Sequence, residues 1–160
     1  MQEPERAGHL DTDDVEVRTL QNDDLDWVVR IDKEHSGQSR RNYYEVKFKE
    51  LETGVRISLA ALVDGAPAGF LMGRLYYGEF GLPEPAAVLD SIGVSNAFKG
   101  QQVGKALMRQ LRMNLAGLGI ESVRTEVDWD QVELIRFFQA SGFRPAPRLC
   151  IEMVVEPPRD

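Results

Sequence analysis

The amino-acid sequence predicts an α/β protein of the mixed α+β class. Three observations lead to this prediction. Apolar residues recur at helical spacing over residues 25–51, they follow strand-like patterns over residues 57–94, and helical and strand segments alternate after that. The predicted order is β-α-α-β-β-β-α-β-α-β, with no internal repeat and no linker. The late strand–helix–strand unit should form a right-handed parallel crossover.

The first third of the chain contains one predicted strand and two predicted helices. Residues 15–19 alternate apolar and charged side chains, which is typical of a strand. Asn22 or Asp23 offers the N-cap of the first helix. The segment His35–Arg40 contains small polar residues and is predicted to be a loop, and a second helix follows, with apolar positions from Tyr43 to Leu51 and its end near Gly54.

The rest of the chain is predicted to begin with a hairpin. Strands are predicted over 57–63 and 68–77, and Asp64-Gly65-Ala66-Pro67 forms the turn between them. A loop with glycines and prolines leads to a third apolar strand over 87–94. The remaining elements are a helix over 103–118, a strand over 121–129, a helix over 130–141 and a last strand over 148–155.

The domain organisation expected from the sequence is simple. Residues 1–14 are polar and acidic and predict a flexible tail, residues 15–156 a single domain, and residues 157–160 a C-terminal tail. The N-terminus lacks the apolar core of a signal peptide, and no apolar run approaches the ~20 residues that cross a bilayer. A cytoplasmic protein without a membrane partner is therefore expected.

Charge and cysteine content exclude several classes of site. The chain has 26 acidic and 19 basic side chains and a net charge of −7, which argues against nucleic acid as a partner. The single cysteine, Cys150, rules out an intrachain disulfide and an all-cysteine metal site. Because Cys150 alternates with Leu149 and Ile151, it is predicted to be a core residue. No metal is expected.

The segment 92–107 contains the strongest functional signal. A strand ends at Val94, and glycines and polar residues then open a helix, whose free N–H groups and dipole favour an anion such as pyrophosphate. A P-loop is excluded because Gly100 and Gly104 are one residue too close and Ala106 replaces the hydroxyl residue. A dinucleotide fingerprint is also absent. From this segment alone, a helix that begins after a glycine turn and binds nothing is an alternative interpretation.

At these positions the chain resembles the GCN5-related N-acetyltransferases. Their acetyl-CoA motif is a strand ending in Val, then x-Pro, an aromatic residue and Gln/Arg-x-x-Gly-x-Gly/Ala at the start of a helix. The matching residues here are Val94, Phe98, Lys99, Gly100, Val103, Gly104 and Leu107. The chain differs from the motif at Asn96, where Pro is usual, at Lys99, where Gln or Arg is usual, and at Gln102, where the middle Gly is usual. Gln102 must tolerate the backbone angles of the loop.

A second motif of that family follows at the matching distance. Its pattern is a strand and then Asn-x-x-Ala-x-x-x-Tyr-x-x-x-Gly-Phe. Here Gly142-Phe143 closes the motif, with Gly142 suited to a left-handed helix stop. Gln131 stands at the usual Asn and Phe138 at the usual Tyr. The two motifs together span residues 88–143, and their joint order and spacing make the resemblance specific.

The resemblance implies a fold, a reaction and a cosubstrate. The fold would be an acyl-CoA N-acyltransferase fold with a central twisted mixed sheet of about six to seven strands and about four helices. The reaction would move an acetyl group from acetyl-CoA to a primary amine of a small molecule or protein, by direct attack in a ternary complex. A homodimer is expected by analogy. The residues expected to bind acetyl-CoA are Ile92, Gly93, Val94, Lys99, Gly100, Gln101, Gln102, Val103, Gly104, Lys105, Gln131, Leu134 and Phe138.

The catalytic assignments implied by the resemblance are less complete. Backbone N–H groups near residues 92–94 would meet the oxyanion. Glu126 is the first choice for the general base, by its spacing of sixteen residues before Gly142 and by alternation along the predicted strand. A surface ion pair with Arg124 is the competing interpretation of Glu126, and Asp90 is the alternative base.

The general acid and the acceptor site stay open at the sequence level. Phe138 cannot donate a proton, so a tyrosine from another element would have to substitute (Tyr43, Tyr44, Tyr76 or Tyr77). His35 is a candidate for the acceptor site, which loops over 35–41, 78–85 and 144–148 would surround. The substitutions at Gln102 and Phe138 also permit a different class, a non-catalytic acyl-CoA-binding module.

Overall fold

The structure is a computed structural model that describes residues 11–53, 57–78, 81–100 and 102–158. Contacts divide the chain into two compact units, Met1–Glu126 and Val127–Asp160, which are described separately. The helices and strands are β1 Glu16–Thr19, α1 Leu25–Ser36, α2 Arg41–Glu50, β2 Leu59–Val63, β3 Ala66–Tyr76, β4 Ala86–Val94, α3 Val103–Gly117, β5 Val123–Arg124 and α4 Val132–Ala140.

The first unit is built on a mixed sheet with the strand order β1-β2-β3-β4-β5. Neighbouring strands are antiparallel except β4 and β5, which pair in parallel through Ala87 with Val123 and Val88 with Arg124. The predicted parallel pairing across α3 is therefore confirmed. The predicted hairpin is confirmed as well: the β2–β3 turn has two residues with positive φ, at 49° and 77°, which match the right-handed twist of the strands.

Each face of this sheet is covered by helices with an apolar stripe. On one face, α1 and α2 bury a cluster around Phe70 that includes Ile31 and Tyr44. On the other, α3 packs against β2 and β3. A Cβ added at Gly69 would lie 2.9 Å from a methyl carbon of Val103. The absence of a side chain at Gly69 therefore lets the first turn of α3 lie directly on the sheet.

A β-bulge in β4 changes which side chains face α2. Met72 pairs with Ser91 and Gly73 pairs with Leu89, so Asp90 is an extra residue in β4. As a result, the consecutive residues Asp90 and Ser91 both point to the α2 side of the sheet, where Asp90 meets a lysine and Ser91 a tyrosine of that helix. Without the bulge, one of the two would face α3.

The mixed α+β class is confirmed, but the described residues form five strands, not six to seven. The strand predicted over 121–129 is limited to Val123–Arg124, and the strand predicted over 148–155 is not formed. Leu149 and Ile151 are 88% and 87% exposed. The core placement of Cys150 is also wrong, since this residue is exposed. Alternating apolar residues suit a strand, but a strand also needs a neighbour that accepts its hydrogen bonds, and local sequence does not supply one.

The second unit contains α4 and an aromatic cluster at its end. Gly142 has φ of 94°, and the Phe143 N–H donates to the Phe138 carbonyl at 2.9 Å, so the left-handed helix stop is confirmed. This turn brings Phe143 onto Phe138, with ring centroids 4.9 Å apart. Phe137 contacts Phe138 as well, at 5.4 Å. Phe138 is the residue of α4 that this packing buries.

The predicted acidic tail, residues 1–14, is described only from residue 11 onward. Thr12–Asp14 form a 3-10 turn that the Asp11 side chain caps, and Asp13 forms an ion pair with Arg109 of α3 at 2.9 Å. Residues 1–10 and the end of the predicted C-terminal tail at 159–160 lie outside the described residues. The single-domain boundary at 15–156 stays a prediction.

The described residues contain neither a helix suited to span a membrane nor a cluster suited to hold a metal ion. No helix among them has the length and apolar character that a membrane span requires. No group of three or more His, Cys, Asp or Glu side chains among them is arranged to hold a metal ion.

Candidate functional site

The end of β4 presents backbone groups on its open side. The Ser95 N–H donates to the Ala68 carbonyl at 2.8 Å, which continues the ladder to β3. Because hydrogen bonding alternates along an antiparallel pair, the N–H groups of Ile92 and Val94 point to the opposite side, toward the β5 edge. The ladder with β5 has already ended at Val88. Two backbone donors are therefore available where β4 and β5 have separated.

Gly93 has a packing role on the other side of the strand. A Cβ added there would lie 2.7 Å from a ring carbon of Phe70 and 3.2 Å from a methyl of Ile31. A side chain at this position would displace the core that α1 contributes. The predicted binding residue Gly93 is thus required for packing, while its neighbours Ile92 and Val94 carry the outward donors.

The start of α3 has an uncapped N-terminus. Ala106 donates to the Gln102 carbonyl at 2.9 Å, which opens the hydrogen-bond ladder of the helix, so the N–H groups of residues 103–105 precede that ladder. The Gln102 side chain does not cap the helix. Gly100 has φ of 74° and open space where a side chain would stand. Gln102 itself has φ of 64°, so the expected demand on its backbone is confirmed. Gln101 lies outside the described residues.

The C-terminal end of α1 holds the loop between β4 and α3. His35 Nε2 lies 2.6 Å from the Val94 carbonyl oxygen. Because a carbonyl only accepts, Nε2 carries the proton in this hydrogen bond. The Asn96 N–H donates to the Glu34 carboxylate at 2.7 Å. A proline at position 96, which the family motif prefers, would lack this donor.

The loop predicted over residues 35–40 begins too early, because His35 belongs to α1. Helix α1 continues to Ser36 and ends at Gly37, whose φ of 75° allows the left-handed stop. His35 therefore lies in the last turn of a helix, with its ring on the β4 end. The predicted acceptor-site role of His35 has no support from this contact.

A buried hydrogen-bond network joins α1, α2 and the bulge of β4. The fully buried Tyr44 donates its hydroxyl to Asp32 at 2.8 Å and shares a second hydrogen bond, also 2.8 Å, with Ser91. Arg40 binds both carboxylate oxygens of Asp32. Burial alone would raise the pKa of Asp32, but the hydrogen bonds from Arg40 and Tyr44 outweigh it and hold that pKa below its usual value.

Tyr44 is poorly suited to be the missing general acid. Burial raises the pKa of its hydroxyl well above the usual value, and Asp32 adds to the effect. Both hydrogen bonds of this hydroxyl are to protein groups. Among the other candidate tyrosines, Tyr43 is partly exposed and burial raises its pKa, while Tyr77 is exposed. Tyr76 has two guanidinium groups near its ring, those of Arg74 and Arg124.

The two candidate bases have different surroundings. Asp90 is mostly buried, and its two oxygens lie 3.5 Å from Lys47 Nζ and 3.5 Å from Arg74 Nε. Glu126 is exposed and follows the end of β5, so the alternation that placed it beside Arg124 no longer applies. Within the described part of the chain, Glu126 forms no ion pair. Thr125, one residue earlier, binds back to the Leu89 carbonyl at 3.2 Å.

Three further predicted binding residues belong to the second unit. Gln131 immediately precedes α4, and its carbonyl accepts from the Ile135 N–H at 3.0 Å. Leu134 is half-buried in α4, and Phe138 is buried in the aromatic cluster. Their role in binding stays a prediction.

Several contacts of this site have no signal in the sequence. The bulge at Asp90, the ion pairs of Asp90 with Lys47 and Arg74, and the tether from Glu34 join residues that are 16 to 62 positions apart. A bulge has no required residue type outside glycine-containing forms. Only the strand register reveals it.

Comparisons with known proteins agree with this geometry. The sequence model of the acetyltransferase (GNAT) family matches residues 16–143. A comparison with curated proteins gave no significant match. Among solved structures, an aminoglycoside N-acetyltransferase AAC(6')-Iy in complex with CoA superposes with a TM-score of 0.72 and 17% identity over 88% of this chain and 94% of that one.

Two further structures show the same fold. A ribosomal-protein-alanine N-acetyltransferase from Brucella melitensis biovar Abortus 2308 has a TM-score of 0.72 and 16% identity, over 89% of this chain and 99% of that chain. A transcriptional regulator from Bacillus halodurans C-125 has a TM-score of 0.74 and 18% identity, over 88% and 99%. The match to the family covers most of the sequence, so this chain belongs to the acetyltransferase (GNAT) family and is an N-acetyltransferase of that type.

Proposed function

We propose that the protein transfers an acetyl group from acetyl-CoA to a primary amine, by direct attack of the amine within a ternary complex. The observation that carries this proposal is the pair of outward N–H donors at Ile92 and Val94, followed along the chain by the start of α3, which the Gln102 side chain does not cap. Such donors suit a thioester carbonyl and a phosphate group, respectively. The structural relatives named above act on an aminoglycoside and on a ribosomal-protein alanine, so both small-molecule and protein amines are candidate acceptors.

The start of α3 fits the pyrophosphate of acetyl-CoA. The N–H groups of residues 103–105 are free of intrahelical partners, and Gly100 leaves open space beside them. Lys99 and Lys105 add positive charge in this stretch. Gln101, Gln102, Gln131, Leu134 and Phe138 also stay proposed acetyl-CoA-binding residues, as the family motifs imply.

The reaction forms one C–N bond and breaks one C–S bond. An ammonium acceptor first gives one proton to a base, the neutral amine attacks the carbonyl, and the CoA sulfur leaves and takes a proton to become the thiol. The N–H groups of Ile92 and Val94 are placed to stabilise the oxyanion. Glu126 is the proposed base because its carboxylate is exposed and has no ion pair among the described residues. Asp90 is less suited because two cations already hold its oxygens.

The role of Glu126 can be tested with one substitution. Glu126→Gln should lower kcat about 10²- to 10⁴-fold, because the amide cannot accept the proton, and should leave acetyl-CoA affinity nearly unchanged. Asp128→Asn is the matched control, since Asp128 is also exposed, and should keep the wild-type rate. Unaltered rates of Glu126→Gln across the pH range would exclude Glu126 and direct the same test to Asp90→Asn.

A second function, a non-catalytic acyl-CoA-binding module, is favoured by the strained Gln102 and by Phe138 at the usual tyrosine position. Thermal shift with acetyl-CoA and an assay of free CoA thiol over an amine panel separate the two. Binding with turnover supports the transferase, and binding without turnover on any amine supports the module. No shift with acetyl-CoA or longer acyl-CoAs would contradict both.

We also propose a homodimer and a cytoplasmic location. The two edge strands β1 and β5 support the first, because unpaired strand edges offer hydrogen bonds to a second copy. The single cysteine supports the second, because it leaves the chain without an intrachain disulfide. Light scattering during size-exclusion chromatography would measure the oligomeric state, and cell fractionation would measure the location.

A further inference from the structure

A cleft of 180 Å³ lies beside the bulge of β4, between α2 and β3. Its lining includes the apolar side chains Leu51 and Met72. It also includes the charged side chains Lys47 and Arg74, with Asp90 between them. A small cavity with an apolar wall and a few polar groups is typical of a site for a small molecule.

The carboxylate in this cleft is already bound, while its arginine is only partly used. Both oxygens of Asp90 are engaged, one by Lys47 and one by Arg74 Nε. Lys47 also meets Glu50 at the mouth of the cleft, at 3.4 Å. Within the described ranges Arg74 donates no side-chain hydrogen bond, its ion pair with Asp90 is long at 3.5 Å, and its side chain is 47% exposed. A planar, half-exposed guanidinium fork is suited to bind a further carboxylate.

A second arginine strengthens the positive charge at this place. Arg74 and Arg124 both lie opposite Val88 in the register of β3, β4 and β5, so their side chains share one face of the sheet. Their guanidinium carbons are 5.7 and 5.6 Å from the centre of the Tyr76 ring. Arg124 has no ion pair within the described part of the chain. Two positive charges near one ring attract an anion. This positive charge is local, because the whole protein has a net charge of −7.

We propose that the acceptor is a small amino acid with an apolar side chain, and that Arg74 binds its carboxylate while its amine faces the thioester carbonyl bound by the N–H groups of Ile92 and Val94. This proposal rests on the proposed transferase function and names its substrate class. Asp90, which contacts Arg74, and Ile92 are two positions apart, about 7 Å along a strand, so the bound amino acid and the thioester carbonyl together can fill the space between them. The apolar lining residues contact the side chain of the amino acid. The amine loses one proton to the base and forms the amide, and CoA leaves as the thiol.

Matched pairs of amines test the carboxylate requirement. Leucine, methionine and phenylalanine are each compared with the amine that lacks the carboxylate (3-methylbutylamine, 3-methylthiopropylamine and phenethylamine). For at least one pair, kcat/KM should be about 10- to 100-fold higher for the amino acid, the value of a charged two-point hydrogen bond. Arg74→Ala should remove that preference, because it should lower kcat/KM about 10- to 100-fold more for the amino acid than for the simple amine. Arg74→Lys, which keeps the charge but not the fork, should restore it only in part.

The control is Arg30→Ala, which removes an exposed arginine of α1. This variant should leave kcat/KM unchanged for both members of each pair. Equal kcat/KM for the amino acid and the simple amine in every pair would overturn the proposal. An equal loss of kcat/KM for both compounds in a folded Arg74→Lys variant would also overturn it. If no amine is acetylated at all, binding of the three amino acids to the CoA-loaded protein is measured by calorimetry. Binding that Arg74→Ala abolishes would then keep the cleft assignment and reject the transferase. Absence of binding would reject the cleft.

Discussion

At the scale of single residues, Gln102 has the most consequential backbone. Its φ of 64° places it in the left-handed region, immediately before α3, where the family motif has glycine. A residue with a Cβ adopts this conformation only at a cost of about 1 kcal/mol, unless it is Asn or Asp. The strain lies at the helix start that we propose for the pyrophosphate.

Replacement of Gln102 by glycine should relieve this strain. Gln102→Gly is expected to raise the free energy of unfolding by about 0.5–1 kcal/mol, as measured by urea titration. Asp64→Gly is the control, because Asp64 also has positive φ, 49°, but is a residue type that tolerates it and lies in the β2–β3 turn. The free energy of unfolding should rise less in Asp64→Gly than in Gln102→Gly.

The same variant decides what the Gln102 amide does. Titration calorimetry of Gln102→Gly should show an acetyl-CoA affinity equal to or a few-fold tighter than that of the wild type, because glycine lets the phosphate approach. A weaker affinity would contradict this expectation and would identify the amide as a contact to acetyl-CoA.

At the scale of elements, the end of α1 positions the loop between β4 and α3. Two consecutive residues, Glu34 and His35, bind the two sides of this loop at Asn96 and Val94. The helix thus defines where the strand ends and where the approach to α3 begins. This contact replaces the rigidity that proline supplies in the family motif.

The hydrogen bond from the Asn96 N–H to Glu34 predicts an unusual result for a substitution toward the family consensus. Asn96→Pro should lower the free energy of unfolding by about 1 kcal/mol, because it removes the N–H that donates to Glu34, although a proline is tolerated at the first position of a helical turn. Asn96→Ala keeps the N–H and is the matched control, expected to be near the wild type. Both are measured by chemical denaturation. Equal stability of the two variants would show that the Glu34 hydrogen bond contributes nothing.

The bulge of β4 is the second element-scale feature. It turns Asp90 and Ser91 to the same side, so that one meets Lys47 and the other Tyr44. The cleft at Arg74 and the buried network at Asp32 therefore flank the same two residues of β4. Distortion of the bulge should affect both.

At the scale of the whole molecule, two buried carboxylates link stability to pH. Burial alone would raise the pKa of Asp24, but hydrogen bonds from Arg18, the Gln21 N–H and Trp27 outweigh it and lower that pKa. The pKa of Asp32 is lowered in the same way. A folded-state pKa below the unfolded value of 3.8 means that the carboxylates stabilise the fold above that pH.

Acid should therefore unfold the protein through these two groups. The free energy of unfolding is expected to be constant near neutral pH and to fall as the pH decreases below about 4 and through the folded pKa values. Asp32→Asn should lower stability by about 3 kcal/mol at pH 7, because Arg40 loses its charge partner, and should flatten the acid slope. Urea titrations at several pH values measure both effects.

The control for this prediction is Asp26→Asn. Asp26 also pairs with an arginine, Arg41, but its side chain is 85% exposed. Its loss should change stability by less than about 1 kcal/mol. Equal acid slopes of Asp32→Asn and the wild type would show that the buried carboxylate does not control acid unfolding.

The sequence alone determined the features that a few consecutive residues control. The turn at Asp64-Gly65, the helix stop at Gly142 and the strand–loop–helix from Val94 to Gly104 follow from local backbone preferences, and all were predicted correctly. These motifs, in their order and spacing, also indicated the family. Local preference suffices here because each feature depends on φ values or on N–H groups within one turn.

The tertiary structure decided everything that depends on strand register and on packing between distant elements. Periodicity could not give the short β5, the exposed segment at the position of the predicted last strand, the bulge at Asp90 or the ion pair of Asp90 with Arg74. A strand forms only where another strand accepts its hydrogen bonds, and an ion pair only where two elements come together. Both conditions are set by contacts between residues far apart in sequence, which the pattern of any one segment does not contain.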